Sequence, residues 1–201
     1  IEKFLFARHL GPTFGAVDSI TWLAALVCDL LPAVRADAIA IGPFPVECAD
    51  LMLTTPNLSC LVGNHEQYYL QGIPTPQPQY MSDEEVVHQK WVHEQLGEHR
   101  KSNISKWEMA IYREFGGVKV CFQHYAFSSD GETFSGILRN PVAPDLDKLF
   151  ESIEAEVIFY GHAHRASDIQ GQKRYINPGA LGCNPKAIAQ YAVAEFEAGK
   201  V

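Results

Sequence analysis

Short apolar runs alternate with amphipathic stretches along this chain, and most of the runs stop at a glycine, a proline or a histidine. Phe4 to Ala7 is short and apolar enough to be a strand buried on both faces. Ile20, Leu23, Ala24, Val27 and Leu31 follow at helical spacing, and Pro32 ends that helix. Ala38 to Ile41 reads as a second buried strand, Val46 to Leu53 as a second helix, and Leu58 to Val62 as a third strand running into Gly63. That order predicts a mostly parallel sheet.

The middle of the chain changes character. Gly72 to Pro78 carries three prolines and can be neither helix nor central strand. Ser82 and Glu85 then form a capping box, with Val87, Trp91, Val92 and Leu96 as one apolar stripe behind it. We read residues 1–201 as one domain with a helical insertion at about 68–110, either a partial lid or a plain structural helix pair. Strands return at Val118 to Gln123, Val157 to Tyr160, Arg174 to Ile176 and Gln190 to Phe196. Between the first two of these, Leu146, Leu149, Phe150 and Ile153 make an amphipathic helix.

Composition narrows the class. With 47% hydrophobic and 20% charged residues, 201 residues suffice for one ordinary soluble core. A net charge of −8 argues against nonspecific nucleic-acid binding, which needs a basic stripe, and accommodates divalent cations. Five scattered cysteines without a Cys-x-x-Cys spacing point away from a zinc ribbon or a disulfide framework and towards a reducing cytoplasm. The amino terminus is too short and acidic for a signal peptide, and the longest apolar stretch, Trp22 to Cys28, is broken by Asp29. The expectation is a cytoplasmic protein with no membrane partner.

Four strings lie where an apolar run stops: Gly63-Asn64-His65-Glu66, then His124, then Gly161-His162-Ala163-His164, then Asn177-Pro178-Gly179-Ala180. Loops at that edge of an α/β sheet are where ligands bind. His162 and His164 can face one cavity if Gly161 frees the turn, and Asn64 offers a neutral amide oxygen after Gly63. Imidazole and amide donors suit divalent metals. Taken singly, His65 could be a turn residue and His124 a core histidine. His88, His93 and His99 lie on charged helices and are assigned no chemistry.

In this order the strings resemble the calcineurin-like metallophosphoesterases, and the whole chain is similar to their compact bacterial phosphodiesterase branch. The resemblance implies a four-layer α/β/β/α sandwich of two mixed sheets flanked by helices. It implies a metal-dependent phosphoesterase in which water activated by two divalent metal ions attacks a phosphodiester or phosphomonoester. Asn64, His124 and His162 would bind one ion, His164 the other, and His65 would be the general acid, while Asn177-Pro178-Gly179 supports the site. Mixed nitrogen and oxygen donors suit Mn, Fe, Ni or Zn better than Mg or Ca. The implied substrate is a phosphorylated small molecule or nucleotide.

Two aspartates of that pattern are not where it expects them. The first motif, Asp-x-His after the first strand, meets Phe6-Ala7-Arg8-His9, which puts His9 on the histidine and Ala7 on the aspartate. The second, Gly-Asp after the second strand, meets Gly42-Pro43. Asp37, before that strand, and Asp50, inside the helix, stand at the wrong ends of their elements. Two dications about 3.5–4 Å apart would then be almost uncompensated. One reading is a catalytically degenerate scaffold of this fold that binds a protein partner, as one retromer subunit of the superfamily does. Another, favoured by the intact remainder of the site, is a chain lacking two short active-site segments, one between Ala7 and roughly Phe14 and one within Ile41 to Phe44. A third is a single-metal protein using Asn64, His124 and His162.

Overall fold

The computed structural model describes residues 2–7, 33–183, 188–198 and 201. The helix expected over Ile20 to Leu31, the position of His9 and the first of the two suspected gaps all lie outside the described residues. In chain order the elements are β1 (Glu2–Ala7), β2 (Ala33–Ala36), α1 (Pro45–Thr54), β3 (Leu58–Leu61), α2 (Asn64–Gln71), α3 (Asp83–Leu96), α4 (Lys101–Ile104), β4 (Ala110–Phe115) and β5 (Val118–Gln123). Then come α5 (Ala143–Leu149), β6 (Val157–Phe159), β7 (Ala166–Gln170), β8 (Arg174–Pro178) and β9 (Tyr191–Phe196).

The fold is mixed α/β. One sheet has the order β3-β2-β1-β9, with β1, β2 and β3 parallel and β9 antiparallel to β1. The other has the order β4-β5-β6-β8-β7, with β5, β6 and β8 parallel between antiparallel edge strands. Val34, Ala36 and Leu61 of the first sheet share a single apolar core with Ile111, Val120, Phe122, Val157 and Phe159 of the second. Because side chains alternate along a strand, the neighbours Cys121 and Ile158 point the opposite way, against Leu146 and Phe150 at α5. Each large side chain so buried contributes about 1.5–3 kcal/mol. None of the described helices is long and apolar enough to cross a membrane.

Two sequence expectations are corrected here. The second strand is Ala33–Ala36, not Ala38 to Ile41. Arg35 interrupts the apolar reading of the true strand. Ala38, Ile39 and Ala40 are buried, but as a loop between Asp37 (φ 57°) and Ile41 (φ 70°), left-handed conformations that no strand contains. Ile39 and Ala40 pack against Ala49, Tyr69, Val92 and Leu96 of the helices instead. The stripe on α3 is also rotated: Gln89, Val92 and Leu96 are its buried residues, while Val87 is 66% exposed. One half of the expected capping box is present, with Ser82 Oγ accepting the Glu85 N–H at 3.2 Å.

Candidate active site

Four parallel strands, two from each sheet, end at one place. Asp37 follows β2 directly, Asn64 opens α2 two residues after Val62, His124 follows β5 directly, and His162 stands three residues beyond β6. Asp37, Asn64, His65 and His124 are all buried. Gly161 N–H donates to the carbonyl of His124 at 2.8 Å, locking the β5 and β6 loops together.

The donors converge on His124. Its Nε2 lies 2.9 Å from Asn64 Oδ1, 3.0 Å from His162 Nδ1 and 3.7 Å from Asp37 Oδ2. The ligand atoms of Asp37, His124 and His162 all fall within 4.8 Å of one another. Donors about 2.1 Å from a common ion stand about 3.0 Å apart at neighbouring octahedral positions and about 3.4 Å apart in a tetrahedron, so the spacings match a shared cation. A single ring N–H cannot serve three acceptors at once, and a cation between them removes the conflict. Two imidazoles, one carboxylate and one amide oxygen form a donor set that suits a divalent metal.

Asp37 therefore corrects the sequence reading that placed it at the wrong end of its strand. It directly follows β2, with Ala36 where the resembled motif carries a glycine, and a segment missing within Ile41 to Phe44 would have nothing left to supply. The loop that carries Asp37 is held by Glu66, whose role the sequence reading missed. Glu66 Oε1 accepts the N–H groups of Ala38 (2.8 Å) and Ile39 (3.4 Å), and Oε2 accepts those of Gly63 (2.8 Å) and Asp37 (3.1 Å). Complete burial, and then the Asp37 charge, push the Glu66 carboxyl above its usual range. All four contacts are N–H donors, however, so only the ionised carboxylate fits this arrangement. Asp37 in turn accepts the His65 N–H at 3.3 Å, placing a negative charge at the start of α2.

Gly63 serves space, not turn freedom. Its backbone is extended (φ −100°, ψ −176°), but a Cβ there would stand 2.3 Å from Asp37 Oδ1. Gly63→Ala is therefore expected to push the Asp37 carboxylate out of place, costing about 1–3 kcal/mol of stability and weakening metal uptake. Thermal unfolding with and without added metal checks this. An alanine variant that binds metal as the parent does would show that Asp37 is not held at this point.

The β6–β7 turn likewise departs from expectation, because Gly161 is not the residue in the left-handed region. His162 (φ 65°) and His164 (φ 54°) are, which for residues with a Cβ costs on the order of 1–3 kcal/mol each. Asn177 supports this turn by donating to the Gly161 carbonyl at 3.0 Å while accepting the Gly179 N–H at 3.0 Å. The result is that His162 turns to the cluster, and His162 and His164 both line a cavity of 680 Å³. Among the described residues His164 is not part of the metal-ligating group.

His65 lies at the edge of the cluster, Nε2 4.0 Å from Asp37 Oδ2, and its Nδ1 meets the side-chain amide of Gln89 on α3. Gln89 is buried and comes from the insertion, so α3 touches the site directly. The polar interruption of the α3 apolar face was the signal that could have found it. His88 accepts the Ile41 N–H at 3.0 Å, whereas His93 and His99 interact with Glu98 and Arg100 away from the cluster.

Residues 44–199 match the family described as a calcineurin-like phosphoesterase superfamily domain. The fold is similar to that of a hypothetical protein from Pyrococcus horikoshii OT3, with a TM-score of 0.73 and 16% identity over 98% of this chain and 88% of that one. It is similar to a metallophosphoesterase from Sphaerobacter thermophilus (TM-score 0.63, 15% identity, 96% and 83% covered). Vps29 from Chaetomium thermophilum also shares it (TM-score 0.54, 11% identity, 98% and 80% covered). At these identities the likeness is one of fold. No curated protein matches the sequence.

Proposed function

Because this chain belongs to the calcineurin-like phosphoesterase superfamily, we propose that it is a metal-dependent phosphoester hydrolase whose centre is formed by Asp37, Asn64, His124 and His162. The observation that carries the reading is the meeting of these four donors, from four strand ends, around His124 Nε2. A bound divalent ion supplies a water of lowered pKa and a Lewis acid for phosphoryl oxygens. The enclosing architecture is the α/β/β/α sandwich, with helices covering the outer face of each sheet, and α3 acts as a partial lid over the site.

The chain's own groups then divide the work. Asp37, Asn64, His124 and His162 would hold the ion, and because Asp37, Asn64 and His124 are buried, its attraction to the Asp37 charge would be stronger there than in water. His65 is the general acid. With the Gln89 side-chain amide against Nδ1, the other ring nitrogen, Nε2, is the one that faces Asp37 and the site. As the imidazolium, whose positive charge Asp37 stabilises, it gives the Nε2 proton to the leaving oxygen as the phosphorus–oxygen bond breaks and is left as the neutral ring. His164 belongs to a second ion position, which would also need His9. Ala7, the last residue of β1, contributes no donor there.

That alanine favours a second reading, a scaffold of this fold that docks a protein partner. Metal content per full-length chain separates the two: one or two ions support hydrolysis, and none supports the scaffold. The activity test is hydrolysis of bis-p-nitrophenyl phosphate with Mn²⁺, Fe²⁺, Ni²⁺, Zn²⁺ and Mg²⁺ in turn. His124→Ala is expected to remove metal and activity together. His65→Ala is expected to keep its metal while turnover falls by roughly 10²–10⁴. Equal metal loss in both variants would sink the role assigned to His65.

A further inference from the structure

The 680 Å³ cavity beside the His162–His164 turn falls in the size range of small-molecule sites. His162 belongs both to it and to the metal-ligating group, so a molecule in the cavity sits against the centre. Two loops line it with one arginine each: Arg139 from the segment between β5 and α5, and Arg165 from the turn before β7. Two arginines elsewhere are tied down by carboxylates. Arg100 is held by Asp50 at 2.8 and 3.0 Å, and Arg174 by Asp168 at 2.9 and 2.8 Å. Arg139 and Arg165 meet no carboxylate among the described residues, although the chain carries 24 acidic groups against 16 basic ones. Two guanidinium groups around one concavity repel each other, and that arrangement is favourable once an anion lies between them. A guanidinium fork matches the oxygens of a phosphate better than a point charge does. Ile137, Pro141 and Ile169 give the same cavity an apolar wall.

Resting on the phosphoester reading above, we infer that this cavity is a second anion subsite and that the preferred substrate is a small organic bisphosphate. One phosphoryl group lies at the centre formed by Asp37, Asn64, His124 and His162. The second is held by Arg139 and Arg165, with the organic body against the apolar wall. The arginines act in recognition and positioning, and take no part in bond cleavage.

Two measurements on the full chain test this. The first is calorimetric binding of adenosine 3′,5′-bisphosphate to metal-free protein, with adenosine 5′-monophosphate as the comparison. The bisphosphate is expected to bind about tenfold tighter, and Arg139→Ala and Arg165→Ala each to remove most of that advantage. Equal binding of the two nucleotides by the parent protein overturns the subsite. The second is turnover of thymidine 5′-(p-nitrophenyl phosphate) with and without a 3′-phosphate. The variants are expected to raise KM about tenfold for the 3′-phosphorylated ester alone, with kcat and metal content unchanged. A parallel loss on both esters also overturns the proposal. Discriminating binding without turnover of any ester would keep the subsite and reject the hydrolase reading, so the two failures are distinguishable.

Discussion

Asp37→Asn is expected to weaken metal binding by on the order of a hundredfold and to reduce phosphoester hydrolysis to background. The amide keeps the size of the side chain and an oxygen for the His65 N–H, so the loss reports the missing negative charge. The stability effect should have the opposite sign in metal-free protein. Asp37 is 1% exposed and its charge acts against the equally buried Glu66. Removing one of two buried like charges leaves the metal-free variant at least as stable as its parent. Adding metal at about 100 times its dissociation constant stabilises the parent by about 2.7 kcal/mol and the variant hardly at all. The two melting curves should therefore change order on metal addition, as differential scanning calorimetry would show. A variant that keeps full metal content would remove Asp37 from the centre.

Much of this site is legible in the sequence, because glycine, asparagine and histidine cluster where apolar runs stop. Val118 to Gln123 reads as a strand and ends at His124, and the structure gives the same bounds. Asn64, His124 and His162 meet in space although 60 and 38 residues separate the pairs. Asp37 escapes the reading for a physical reason. A buried apolar segment is a strand only if its N–H groups enter a ladder, and those of Ala38 and Ile39 go to Glu66 instead. Burial is visible in a sequence, whereas the partner of a backbone N–H is not. Once the strand is shifted to Ala33–Ala36, the same aspartate moves from the wrong end of one element to the right end of another.

Edge strands were harder to see for a different reason. In β4, Tyr112, Arg113 and Glu114 are exposed, so polarity hides the strand, although Gly116 (φ 56°) and Gly117 (φ 84°) mark its hairpin turn into β5. In β7 the same half-exposed alternation runs along Ala166–Gln170. Gln89 leaves only a weak trace, a polar interruption of the apolar face of α3, and the position of His65 gives it meaning.

Glu66→Ala is expected to destabilise the protein by about 3–5 kcal/mol, roughly 10 °C in melting temperature for a chain of this size. The side chain is wholly buried and accepts four backbone N–H groups, from Gly63, Asp37, Ala38 and Ile39. Alanine leaves these donors without an acceptor in a space water does not reach, and each buried unsatisfied group costs about 1–3 kcal/mol before relaxation. Glu66→Gln is the sharper test, because it keeps the shape of the side chain. One of its two heads becomes an NH₂ facing N–H donors, either those of Gly63 and Asp37 or those of Ala38 and Ile39. The amide should therefore lose nearly as much stability as alanine. It should also lose metal, because the loop carrying Asp37 is no longer pinned. Glu94→Gln, on the exposed face of α3, should change neither property by more than about 0.5 kcal/mol. Chemical denaturation of the three variants, with metal content measured on the same samples, decides the matter. If Glu66→Gln unfolds within about 1 kcal/mol of the parent, its carboxylate is not what holds the Asp37 loop.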